Sequence, residues 1–146
     1  MNQRILFMLA VTNVSPGLSA AEISFNRDVR PILSEKCFHC HGIDAKNRKG
    51  KLRLDTPTAA LGKGKSGALA IVPGKPEQSE LWMRITAADH DDRMPPAKVK
   101  KPLLSDEIEI LQRWITEGAS YEKHWALEPP KAKVWPTAGR EVDRFI

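Results

Sequence analysis

At 146 residues, 41% hydrophobic and 28% charged, the chain has the size and balance of one soluble domain with short extras. Its formal net charge of +5 is modest, and the basic residues at Lys46, Arg48, Lys49, Lys51 and Arg53 lack interleaved aromatics, which excludes the footprint of a nucleic-acid binder. The chain has only two cysteines, Cys37 and Cys40, so its cysteine chemistry is confined to one place.

The first residues read as an export signal over 1–21. Arg4 gives a positive start, Ile5 to Val11 is an unbroken apolar run, Pro16 and Gly17 break it, and Ser19-Ala20-Ala21 offers small residues for cleavage before Glu22. The apolar run is too short to span a bilayer, so no transmembrane segment is expected. An ordinary buried N-terminal segment is the bland alternative.

A first domain is expected over 22–119. Phe25, Val29, Ile32 and Leu33 recur at helical spacing with Asn26 as the expected cap. Pro31 requires either a kink or a later start that puts it in the first turn. The helix runs into Cys37-Phe38-His39-Cys40-His41 and is ended by Gly42. Two cysteines three apart followed at once by a histidine form the attachment signature of c-type haem. Cysteines at that spacing on a helical turn project to roughly one side and can each bond one vinyl group of a porphyrin. His41 then supplies a proximal ligand to the iron, while His39 is expected to point away.

Residues 43–75 are the least regular. Lys51 to Asp55 alternates like a short strand, Thr56-Pro57-Thr58 opens a helical turn through Leu61, and Gly62, Gly64 and Gly67 mark a basic loop. A second short apolar run, Ala68 to Val72, closes on Pro73-Gly74. Pro76 fits the first turn of a second helix, with Leu81, Trp82, Ile85 and Ala88 as its apolar face and Met83 as core packing. A third helix is capped by Ser105 and stopped by Gly118, with Ile108, Leu111, Trp114 and Ile115 as its buried stripe. Residues 120–146 read as a proline-, tryptophan- and lysine-rich linker leading into the truncated start of another domain.

Haem iron in an electron carrier wants a sixth ligand that serves both oxidation states, and a thioether also raises the potential relative to a second imidazole. Met94 is the candidate. It sits in the polar loop after the second helix, and Pro95 and Pro96 fix the backbone beyond it. His90 is the rival ligand.

At this point the chain resembles the planctomycete-type cytochrome c domain. The resembling residues are Phe25 to Leu33, Leu52-Arg53-Leu54-Asp55, Ile71 to Pro76, Arg93-Met94-Pro95-Pro96 and the helix bearing Trp114-Ile115. The resemblance implies a mainly α, cytochrome c-like small helical fold around one covalent haem c, with irregular loops and room for a short two-stranded element. It implies that the first and last helices cross near the cofactor, and that the domain is the N-terminal part of a larger secreted protein. His124-Trp125-Ala126 with Pro129-Pro130, and Val142 to Ile146, resemble the junction into the next domain, where this chain ends.

Together these readings give an exported one-electron carrier, or the redox module of a larger protein, with iron ligated by His41 and Met94. Its partner is a redox protein, of acidic surface if Lys63, Lys65, Lys98, Lys100 and Lys101 ring the haem edge, or else the downstream domains. Two alternatives stay open. One is a haem sensor or peroxidase-like domain in which the distal ligand is labile. The other is a structural zinc module on Cys37, Cys40 and neighbouring histidines, against which the adjacency of Cys40 and His41 counts because adjacent ligands crowd a tetrahedral site.

Overall fold

The computed structural model describes residues 22–123. The export signal expected over 1–21 and the tail from His124 to Ile146 lie outside the described residues. The described residues fold mainly as helices: α1 (Arg30–Lys36), α2 (Phe38–His41), α3 (Pro57–Ala60), α4 (Glu80–Ile85) and α5 (Ser105–Thr116). A π-helical turn, Phe25–Val29, leads directly into α1, and 3-10 turns precede α4 at Pro76–Gln78 and α5 at Ala97–Val99.

Pro31 explains how the first helix is assembled. It stands in the first turn of α1, where its missing N–H is harmless, and the wider π turn ahead of it carries Phe25 and Val29 inward. The cap is Ser24 rather than Asn26. The Ser24 hydroxyl accepts from the Arg27 N–H at 3.4 Å. Similarly, Ser105 is the first residue of α5 rather than its cap, and the Leu104 N–H is satisfied by the Glu107 carboxylate at 2.8 Å. Gly118 ends α5 with φ +107, a conformation that a side chain resists.

The core forms where the π turn and α1 meet α5. Phe25, Val29, Ile32 and Leu33 pack in one cluster with Leu111, Trp114 and Ile115, joined by Leu54, Ile71, Leu81 and Ile85. Complete burial of a Leu33- or Leu111-sized side chain contributes about 1.5–3 kcal/mol. Lys36 Nζ reaches Glu107 Oε1 at 3.6 Å and ties α1 to the start of α5. Within the core one polar residue is wholly buried, Ser79, at the break between the 3-10 turn and α4. Its hydroxyl donates to the Lys75 carbonyl and accepts from the Val72 N–H, both at 2.9 Å, so the link into α4 is held by a side chain.

Two further expectations fail. Lys51 to Asp55 forms no strand, because the backbone seeks other partners: the Leu54 N–H donates to the His41 carbonyl at 2.8 Å and the Leu52 N–H to the Lys49 carbonyl at 3.2 Å. Among the described residues, strand-type pairing is reduced to a single antiparallel bridge between Lys63 and Leu69. Met83 is 47% exposed rather than core, since Leu81 and Ile85 already define the inward face of α4.

Residues beyond α5 pack back on the domain. The Tyr121 ring lies tilted against Phe25, centres 4.4 Å apart, and edge-on to Trp114 at 5.2 Å, and its hydroxyl donates to the Leu54 carbonyl at 3.1 Å. Glu122 accepts from the backbone N–H of Phe25 at 2.9 Å and of Asn26 at 3.3 Å, occupying the open donors of the first helical turn. The Lys123 carbonyl accepts from the Asn26 amide, and Glu117 accepts from the Ile23 N–H.

Candidate cofactor site

Cys37 sits at the joint between α1 and α2, where the chain leaves helical geometry for one residue. Its carbonyl accepts from the N–H groups of Cys40 at 3.1 Å and His41 at 2.8 Å, which winds the motif into one tight turn. Gly42 must follow. A β-carbon there would stand 2.3 Å from the Phe38 carbonyl oxygen, so only glycine lets the chain turn away from α2 at this closeness. The Arg48 guanidinium then donates to the carbonyls of Gly42 and Ile43, and the Lys49 N–H to that of Cys40, which pins the following loop to the motif.

These residues open onto a cleft of about 1010 Å³. Cys37, Cys40 and His41 line it from one segment, and Met94, Pro95 and Pro96 from another. Leu52, Leu54, Ala70, Leu81, Ile85 and Val99 give it an apolar lining. That volume lies at the upper end of the ~300–1,000 Å³ usual for small-molecule and cofactor sites. Lys36, Lys49, Lys65, Arg84, Lys98 and Lys101 also line it, against Glu35 and Glu80.

The donor set fits a covalently held metalloporphyrin. Both thiols are free, as thioether formation requires. Burial pushes the Cys37 thiol up to about 12, helped by Cys40 and Glu107, so it stays protonated at neutral pH. Burial also lowers the His41 imidazole below its ordinary value, with the Lys49 backbone opposing, so the ring is the neutral form that binds metals. Its Nδ1 is buried without a hydrogen-bond partner, so that atom is committed to no structural bond. An apolar cleft with four convergent soft or borderline donors is what a haem's body and iron call for.

Of the residues singled out in the sequence, Cys37, Cys40, His41 and Met94 share this cleft. His90 is exposed and does not line it, and Met83 faces solvent. His39 is exposed but reaches the rim. Lys65, Lys98 and Lys101 line the cleft, while Lys63 and Lys100 do not. Sequence reading missed Lys36, Lys49 and Arg84 as lining residues. The helical period puts Lys36 one residue before Cys37, a usable signal, but nothing in the sequence brings Arg84 there. Among the described residues no group of three or more His, Cys, Asp or Glu side chains is placed to hold a metal ion between them.

Residues 37–98 match the family model described as Planctomycete cytochrome C, a window that runs from the first cysteine past Met94. Searches of curated proteins and of solved structures gave no match.

Proposed function

We propose that the planctomycete-type cytochrome c domain carried by this chain is a one-electron carrier, with haem c held through Cys37 and Cys40 and its iron ligated by His41 and Met94. The family match implies haem c binding and electron transfer. The observation that carries the ligand assignment is that these four residues, from segments far apart in the chain, line one apolar cleft. When bound, haem supplies an iron couple that takes up and releases one electron.

The chain's own residues supply the rest. Cys37 and Cys40 would hold haem at its periphery, each through a thioether bond from its sulfur. His41 presents a neutral imidazole because burial disfavours its charged form. Met94 offers a thioether, which serves both oxidation states. Leu52, Leu54, Leu81 and Ile85 exclude water from the cleft. Lys49, Lys65, Lys98 and Lys101 along the cleft steer an acidic redox partner to its mouth. The domain works outside the cytoplasm, where haem is attached to such cysteine pairs. No helix among the described residues is long and apolar enough to cross a membrane.

The test is export together with a haem-attachment system, followed by intact mass and a reduced-minus-oxidised spectrum. One covalent haem is expected, and Cys37→Ala and Cys40→Ala each lower the attached yield. Absence of covalent haem from the wild-type product would sink the reading. Carbon monoxide added to the reduced protein at neutral pH is expected not to bind, whereas ready binding would favour the sensor alternative.

A further inference from the structure

The loop from Thr86 to Arg93 leaves α4 and returns to deliver Met94 to the cleft. Met94 and Pro95 also border a second hollow of about 300 Å³, lined by Ile85, Thr86, Ala87, Arg93, Pro102 and Leu103, so packing behind this part of the loop is incomplete. The loop is closed by hydrogen bonds.

Those bonds converge on one side chain. The Arg93 guanidinium donates through Nε to the Ala87 carbonyl at 2.6 Å and through Nη2 to the Ala88 carbonyl at 3.1 Å. Its own N–H donates to the Asp89 carbonyl at 3.1 Å. The next residue closes the loop, as the Met94 N–H donates to the Arg84 carbonyl at 2.9 Å. Arg84 is held in turn by Asp92 at 2.6 Å and Glu80 at 3.4 Å. The planar fork points donors on two different nitrogens at two successive carbonyls, whereas a lysine ammonium has to direct all of its donors from one centre.

We propose that Arg93 is a positioning residue that clasps the loop on itself and thereby holds the Met94 sulfur in the cleft. This rests on the assignment of Met94 as an axial ligand. Arg93 acts through Met94 and sets how rarely the thioether leaves. An added ligand binds in proportion to the fraction of molecules in which the methionine is off. Loosening the clasp raises that fraction without adding any contact to the incoming ligand.

The experiment uses the haem-loaded full chain as wild type, Arg93→Lys, Arg93→Ala, Met94→Ala and Ser79→Ala. The readouts are the sulfur-to-iron charge-transfer band of the oxidised protein and its titration with imidazole. Arg93→Ala is expected to carry one haem by mass, to lose its band on warming well before it unfolds, and to bind imidazole about tenfold more tightly or better. Arg93→Lys is expected to fall between it and wild type. Ser79→Ala, destabilised outside the loop, is expected to keep wild-type imidazole affinity. Imidazole affinities within twofold of wild type in the Arg93 variants would overturn the clasp while leaving Met94 as ligand. If Arg93→Ala does not fold, the imidazole affinity of Arg93→Lys decides by the same twofold criterion. A Ser79→Ala affinity raised as much as that of Arg93→Ala would also overturn the clasp, since general loosening would then suffice. A band missing from wild type, or surviving in Met94→Ala, removes the ligand assignment itself and the clasp with it.

Discussion

Replacing Gly42 by alanine probes the turn that carries the chain away from His41. The new β-carbon would lie 2.3 Å from the Phe38 carbonyl oxygen and 3.1 Å from the Phe38 carbonyl carbon and β-carbon. Two of these three atoms are backbone, so α2 or the outgoing chain has to move. The glycine's dihedrals are ordinary extended ones, φ −120 and ψ −154, so the cost is contact rather than backbone strain. Forcing extra volume into such a site costs about 1–3 kcal/mol. Gly64→Ala is the matched control. Its β-carbon meets the Gly50 carbonyl oxygen at an ordinary 3.4 Å, and it shares the roughly 0.4–1 kcal/mol that alanine gains by restricting the unfolded chain. The difference between the two variants isolates the clash. For a domain of about 100 residues, each kcal/mol moves Tm by about 4–8 °C, so Gly42→Ala should melt roughly 5–20 °C below Gly64→Ala. Thermal unfolding of the haem-loaded proteins, followed by far-ultraviolet circular dichroism, measures this. Midpoints within about 2 °C of each other would refute the claim that the motif needs glycine there.

Three further outcomes follow from the same structure. Ser79→Ala leaves the Val72 N–H without its partner and should cost about 1–3 kcal/mol in denaturant unfolding, whereas exposed Ser66→Ala should cost far less. Tyr121→Phe removes only the bond to the Leu54 carbonyl and should cost about 0.5–1.5 kcal/mol with the haem spectrum unchanged; a shifted spectrum would contradict a purely structural role. Asp55 is held below the usual carboxylate range, chiefly by its hydrogen bond from Arg53. A depressed folded value stabilises above the unfolded value, about 3.9, and is lost as pH falls through the folded one. The stability gap between wild type and Asp55→Asn should therefore be constant at neutral pH and shrink below about pH 4; a gap that widens in acid would reverse the sign.

The parts of the fold that were legible in the sequence are those where one short-range rule acts alone. The spacing of Cys37, Cys40 and His41 is set by a single helical turn. The stripes Phe25–Leu33 and Leu111–Ile115 show the helical period because each buries one face. The prolines after Met94 mark its loop, which the structure brings to the cleft wall. What escaped needed a distant partner to make sense. Leu52 and Leu54 alternate like a strand, yet the backbone of Leu54 bonds to His41 and both side chains line the cleft. Ser79 looks like any surface serine until Val72 and Lys75 are seen to converge on it. Ser24 and Glu107 outcompeted the better-looking caps Asn26 and Ser105, because small shifts of a helix start decide which side chain reaches which N–H. Arg93 reads as one charge in a charged loop, and its two acceptors are main-chain carbonyls that carry no sequence signal.

The contacts of Glu122 and Lys123 with Ser24, Phe25 and Asn26 fasten the two ends of the described fold to each other. The chain enters and leaves the described fold side by side, like the two ends of a buckled strap. Sequence attached on either flank departs from that same small patch, which rests on the Phe25–Trp114–Tyr121 aromatic triangle. Tension between the flanks is therefore borne first by a few exposed carboxylate and amide bonds, away from the cleft.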